Sequence, residues 1–102
     1  MVKMYASLQG KRVRVIKNVL EWADEFEDKD RRVAETILPN GTWVSTVFLG
    51  INHAFLDTEK PLWFETMVFS RKGDYGEWDM ARYSTWGEAV KGHKAMVKKW
   101  TR

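Results

Sequence analysis

The dipeptide Asn40-Gly41, set between RRVAETIL and WVSTVFLG, constrains this chain more than any other feature. Asn-Gly between two runs of alternating, β-branched and aromatic residues is the strongest short-range hairpin signal. It predicts that residues 31–38 and 43–50 pair antiparallel around a turn that follows Pro39. Other strands follow from alternation. KRVRVI places charged and branched residues by turns at Arg12, Val13, Arg14 and Val15, as an edge strand does. LWFETMVF, from Leu62 to Phe69, is largely apolar on both faces and suits a central strand covered on both sides. EWDMARYS supplies a last strand in which Trp78, Met80 and Arg82 share one face, whereas INHAFLDTEKP between the strands is irregular.

Two helices complete the order. Asn18 caps the first, with Glu21 three positions on, and Val19, Trp22, Ala23 and Phe26 recur on one face until the charged run DKDRR ends it. Thr85 opens the second, and Glu88 completes a Thr-x-x-Glu capping box. The predicted order is β-α-β-β-β-β-α. This is an α+β chain: one antiparallel sheet of about five strands with a C-terminal amphipathic helix packed on it. With 102 residues, 44% of them hydrophobic, the chain fills one core and not two, so residues 1–102 are expected to form a single domain. The absence of Cys excludes a disulfide framework, a thiolate nucleophile and a Cys-type zinc site, and fits a reducing interior. No apolar run approaches the roughly 18 residues of a membrane span, and MVKMYASLQGKRVRV lacks the apolar segment of a signal peptide. A soluble cytoplasmic protein without membrane contact is the expectation.

The closing helix raises a chemical question. Trp86, Ala89, Val90, His93, Val97 and Trp100 fall in one stripe at about 100° per residue, so His93 points toward the sheet. A neutral imidazole satisfied by neighbouring polar groups is one reading, since burial disfavours the charged form. The other needs partners. His53, in GINHAF, is the second histidine, and Glu65, on an otherwise apolar strand, must be paired or protonated. Together His53, Glu65 and His93 form a candidate divalent-metal site or acid–base group, the basis for an alternative reading as a small metal-dependent hydrolase or nuclease. No spacing such as H-E-x-x-H fixes two ligands on one element; a histidine–carboxylate hydrogen bond that ties helix to sheet is the simpler arrangement, and Arg82 can equally neutralise Glu65. There is no G-x-S-x-G, Walker or G-x-G-x-x-G motif. The glycines read as turns, with Gly92 a close-packed or exposed helix position, and Ser45 and Thr46 suit half-buried sheet positions better than a nucleophile. Asp74, Glu77 and Asp79 around Tyr75 and Gly76 match no EF-hand spacing. No cofactor is expected.

The net charge of +3 matters less than its layout. A basic opening, Lys3, Lys11, Arg12, Arg14 and Lys17, is followed by an acidic cluster from Glu21 to Asp30. A second basic group, Lys91, Lys94, Lys98, Lys99 and Arg102, has no acidic neighbour in sequence. With Trp100 beside them, these lysines are the candidate surface for a partner or a nucleic acid, with Trp63 or Trp78 as stacking platforms. Lysines there also complement the helix dipole and aid solubility. An apolar second sheet face would need the short helix or another chain to cover it.

VSTVFLG from Val44 to Gly50, then His53, FETMVF from Phe64 to Phe69, RYST from Arg82 to Thr85, Glu88-Ala89 and Gly92-His93 form a set whose order and spacing resemble a family of small proteins carried by tailed bacteriophages and prophages. The resemblance covers roughly the last two-thirds of the chain and leaves the basic, then acidic, N-terminal third outside the shared pattern. It implies a viral origin and a role in the cytoplasm of an infected bacterium, and it brings no catalytic assignment. The expectation is a noncatalytic accessory protein that binds a host or phage protein, or nucleic acid through the basic helix face, with self-association and any enzymatic activity left open.

Overall fold

The computed structural model describes residues 4–28, 31–54, 59–74 and 76–101. Of the residues named above, Lys3, Asp30, Tyr75 and Arg102, and the side chain of Phe26, lie outside the described residues. Among those described the elements are β1 (Tyr5–Gln9), β2 (Arg12–Ile16), α1 (Val19–Asp28), β3 (Arg32–Ile37), β4 (Trp43–Phe48), β5 (Phe64–Phe69), β6 (Asp79–Tyr83) and α2 (Trp86–Trp100). The α+β class and antiparallel pairing hold, but the single sheet does not. There are two sheets, a β1-β2 hairpin and a four-stranded sheet in the order β3-β4-β5-β6.

The strand missing from the sequence reading is β1. Its residues, YASLQ, set one strand-favouring residue, Tyr5, among Ala, Ser, Leu and Gln, and pairing with β2 makes it a strand. Gly10, at φ +62°, gives the positive φ that the two-residue connection Gly10-Lys11 needs. The hairpin is fastened to the chain beyond β4: the Ala6 amide donates to the Gly50 carbonyl at 2.9 Å and the Asn52 amide to the Met4 carbonyl at 3.0 Å. On it lies α1, capped as expected by the Asn18 side chain, which accepts from Leu20 N at 2.9 Å, and the Trp22 ring sits 4.9 Å from that of Tyr5.

The predicted β3-β4 hairpin is present, with a different turn. The Leu38 carbonyl accepts from Gly41 N and the Leu38 amide donates to the Thr42 carbonyl, both at 2.8 Å, enclosing Pro39, Asn40 and Gly41. Only Gly41 has positive φ there, +91°. Pro39, with its φ fixed near −65°, suits the first corner of a type I turn, so the loop takes three residues with the glycine at the bulge, not a two-residue Asn-Gly turn.

Helix α2 packs across all four strands of the larger sheet. Strand alternation turns Val44, Thr46 and Phe48 of β4 and Phe64, Thr66 and Val68 of β5 toward it, and all six are buried. Phe48 and Phe64 join Ala6, Trp63 and Ala89 in one apolar cluster, whereas Val44 and Val68 join Met96 in another. The opposite sheet face is open in part: Trp43 stacks on Phe69 at 4.8 Å, and Ile37 and Met80 are exposed. The short helix packs on the hairpin and not over this face.

Gly92 is a close-packed position. A Cβ built there overlaps the Tyr83 ring, which packs on the first apolar cluster. Gly92→Ala is therefore expected to destabilise the protein by about 1–2 kcal/mol, overpacking outweighing the gain of about 1 kcal/mol in helix propensity. In a Tyr83→Ala background the same change should become stabilising; thermal and urea denaturation of the four proteins in this cycle measure both terms.

Candidate functional site

Helix α2 brings His93 to the middle of the sheet. The stripe is as read, with Met96 as a further buried member, and the Thr85–Glu88 capping box is formed in both directions. His93 is buried, its Nε2 is 2.8 Å from Thr36 Oγ1, and its Nδ1 is 2.7 Å from Thr46 Oγ1. Thr46 Oγ1 in turn lies 2.6 Å from Thr66 Oγ1. Thr36, Thr46 and Thr66 stand on β3, β4 and β5, so one imidazole is tied to three adjacent strands. Desolvation holds its pKa below the ordinary histidine value. The hydroxyls can donate or accept, so what favours the neutral ring is burial without a carboxylate partner.

A hydroxyl beside an imidazole is also the pairing of a nucleophile with its base. Here Thr46 and Thr66 have no accessible surface, so no substrate atom reaches their oxygens. Thr36 is only partly buried, so the closed part of the network is the Thr46–Thr66 pair with the Nδ1 side of the ring.

The candidate group His53, Glu65 and His93 is not assembled. Alternation along β5 puts Glu65 on the sheet face opposite Thr66, and hence opposite His93. Glu65 accepts from Arg82 Nε at 2.8 Å, its register partner on β6, which is the neutralisation the sequence allowed. His53 is exposed beyond the end of β4, with Nδ1 2.8 Å from the Ile51 carbonyl. Among the described residues no group of three or more His, Asp or Glu is placed to hold a metal ion. Asp74 meets Ser70 and Arg71, and Asp79 meets Lys99 and Trp100, so those carboxylates do not converge either.

The exposed part of α2 carries the other candidates. Lys91, Lys94 and Lys98 are exposed on the side away from the buried Ala89, His93 and Met96. Lys99 lies toward the sheet edge and donates to Asp79 Oδ2 at 2.6 Å; the Trp100 indole N–H donates to the same oxygen at 3.1 Å. Lys99 first and Trp100 second hold the Asp79 pKa below the usual carboxylate value. Trp100 packs against Trp78 with centroids 5.6 Å apart and planes 31° from parallel, and Trp78 is 56% exposed. Beside them opens a cleft of about 280 Å³ lined by Asn40, Thr42, Ser70, Trp78 and Trp100. Trp63, the other proposed platform, is buried in the first apolar cluster and cannot stack on a ligand. Sequence reasoning missed Asn40, Thr42 and Ser70. Asn40 was legible only as a turn residue, and nothing local marks the other two.

Among the described residues no helix is long and apolar enough to cross a membrane. Compared with protein-family models, curated proteins and solved structures, the chain shows no match.

The His93 assignment has a pH signature. Its folded pKa lies below the unfolded value of about 6.5, so the neutral-ring contribution is complete above that pH and declines as pH falls through 6.5 toward the folded value. Stability measured by urea denaturation should be flat from pH 8 to 7 and fall as the pH drops below about 6.5. His93→Leu should remove the His93 part of this slope. It should also cost roughly 1–3 kcal/mol at pH 7.5, because threonine hydroxyls lose the ring that satisfied them. An unchanged slope in His93→Leu would contradict the assignment.

Proposed function

We propose that this chain is a noncatalytic binding protein of a tailed phage, acting in the host cytoplasm, and that the lysine row of α2 holds a nucleic acid. The observation that carries this reading is the pairing state of the cations. Around the four-stranded sheet Arg32, Arg71, Lys72, Arg82 and Lys99 each face a carboxylate. Lys91, Lys94 and Lys98 are exposed, and among the described residues none of them has a carboxylate partner. At positions i, i+3 and i+7 they line one side of a helix over about 10 Å. Such a row suits phosphate contacts that position a strand without reading its sequence. The opposite side of the helix is fixed to the sheet, so the row faces outward as a rigid track.

A second reading, a protein partner, is favoured by the open sheet face, where Ile37 and Met80 are exposed beside the Trp43–Phe69 stack. Salt separates the two. For three phosphate contacts on a single strand, the logarithm of affinity should fall against the logarithm of salt concentration with a slope of about −2. Lys94→Ala or Lys98→Ala should each reduce that slope by about 0.7, measured by anisotropy of a labelled oligonucleotide. Affinity that ignores both salt and these substitutions would count against the nucleic-acid reading.

A further inference from the structure

The cleft at the end of α2 has a chemistry of its own. The Trp78 ring packs at a tilt against Trp100, yet more than half of the residue remains exposed, so the aromatic pair ends in solvent. A flat ring laid on Trp78 would extend that stack and cover its apolar area. The polar rim is neutral: Asn40, Thr42 and Ser70. The nearby carboxylates are engaged, Asp79 by Lys99 and Trp100, and Asp74 by Ser70 and Arg71. The lining therefore favours neither a phosphate nor a cation. It favours a neutral flat ring with hydrogen-bonding groups along its edge.

Asn40 supplies a fixed donor for such an edge. Its Oδ1 accepts from the Thr42 amide at 3.0 Å, which holds the carboxamide within the turn, and among the described residues Nδ2 has no protein acceptor. An amide N–H₂ held in this way suits a ring carbonyl or ring nitrogen. The volume, about 280 Å³, is room enough for one ring system.

We infer that the cleft binds one unpaired nucleobase, stacked on Trp78 and hydrogen-bonded along its edge by Asn40. In a duplex both the faces and the pairing edge of a base are occupied, so the occupant is a free nucleotide or a base of a single strand. The inference stands apart from the lysine row, which lies on the outer side of α2.

The test uses the full chain labelled with ¹⁵N, titrated with the four nucleoside monophosphates, with single-stranded oligothymidylate and oligodeoxyadenylate, and with glucose as a neutral hydroxylated ring. The indole N–H signals of Trp78 and Trp100 should move with nucleotides and stay fixed with glucose. Trp78→Ala should weaken nucleotide binding by at least about 5-fold, the low end of what one base stack contributes. Trp78→Phe should retain most of the affinity, and Asn40→Ala should alter the order of preference among the four bases. Binding of oligonucleotides with the same indole shifts, but not of monophosphates, would support the inference and make a strand the source of the base. Equal response to glucose, no indole response to any nucleotide or oligonucleotide, or wild-type affinity in folded Trp78→Ala would overturn it. Should Trp78→Ala fail to fold, the indole shifts and the Asn40→Ala preferences decide.

Discussion

The rest of the structure depends on a polar layer one side chain thick. Along the strands the residues facing α2 run Phe48 and Phe64, then Thr46 and Thr66, then Val44 and Val68. Along the helix the buried residues run Ala89, His93, Met96. The two apolar clusters thus lie on either side of the hydrogen-bonded histidine and threonines. Apolar contacts alone tolerate sliding of a helix by a turn. A buried hydroxyl left without a partner does not, because the cost of its desolvation is no longer offset. Moving α2 by one turn would set Ala89 or Val97 against the threonines, so His93 fixes the register of helix on sheet.

Register is what positions the exposed groups. With His93 held against Thr36 and Thr46, Lys91, Lys94 and Lys98 face outward, and the last turn carries Trp100 to Trp78 and Asp79. The Trp78–Trp100 cleft joins the β3-β4 turn, the end of β5 and the approach to β6, segments far apart in sequence that meet only when the helix is seated correctly. A residue of the kind that performs chemistry elsewhere here fastens helix to sheet, and the proposed binding surfaces lie where the fastened helix presents them.

Much of this was legible because periodicity is local. Alternation located β2 and β3 and a shared face β6, β-branched and aromatic content located β4, an apolar run located β5, the Asn-Gly pair located a hairpin, and helical spacing with Thr85 and Glu88 located α2 and aimed His93 inward. The charge on the central strand called for a partner, and Arg82 was one option beside a histidine; the structure pairs Glu65 with Arg82. What was not legible depends on pairing across the sheet. Strand β1 has no apolar alternation strong enough to announce itself, and its Gly10-Lys11 turn was passed over. The partners of His93 lie 57 and 47 residues away, and no short motif joins them. A signal existed: Thr36, Thr46 and Thr66 occupy the interior face of adjacent strands, where valine or isoleucine would otherwise be expected. Reading it required the register, which also separates His53, Glu65 and His93. The cleft was half visible, through Trp78 and Trp100, and its polar rim was not.

The most direct test of this account is the state of one ring. In a long-range ¹H–¹⁵N spectrum of the imidazoles near pH 7, His93 should be a single neutral tautomer, with a ring N–H that exchanges slowly with water because the ring is buried and both nitrogens are bonded to threonine hydroxyls. A rapidly averaging pair of tautomers, or a ring already protonated at that pH, would place His93 in solvent or beside a charge and contradict the polar layer on which the fold is argued to rest.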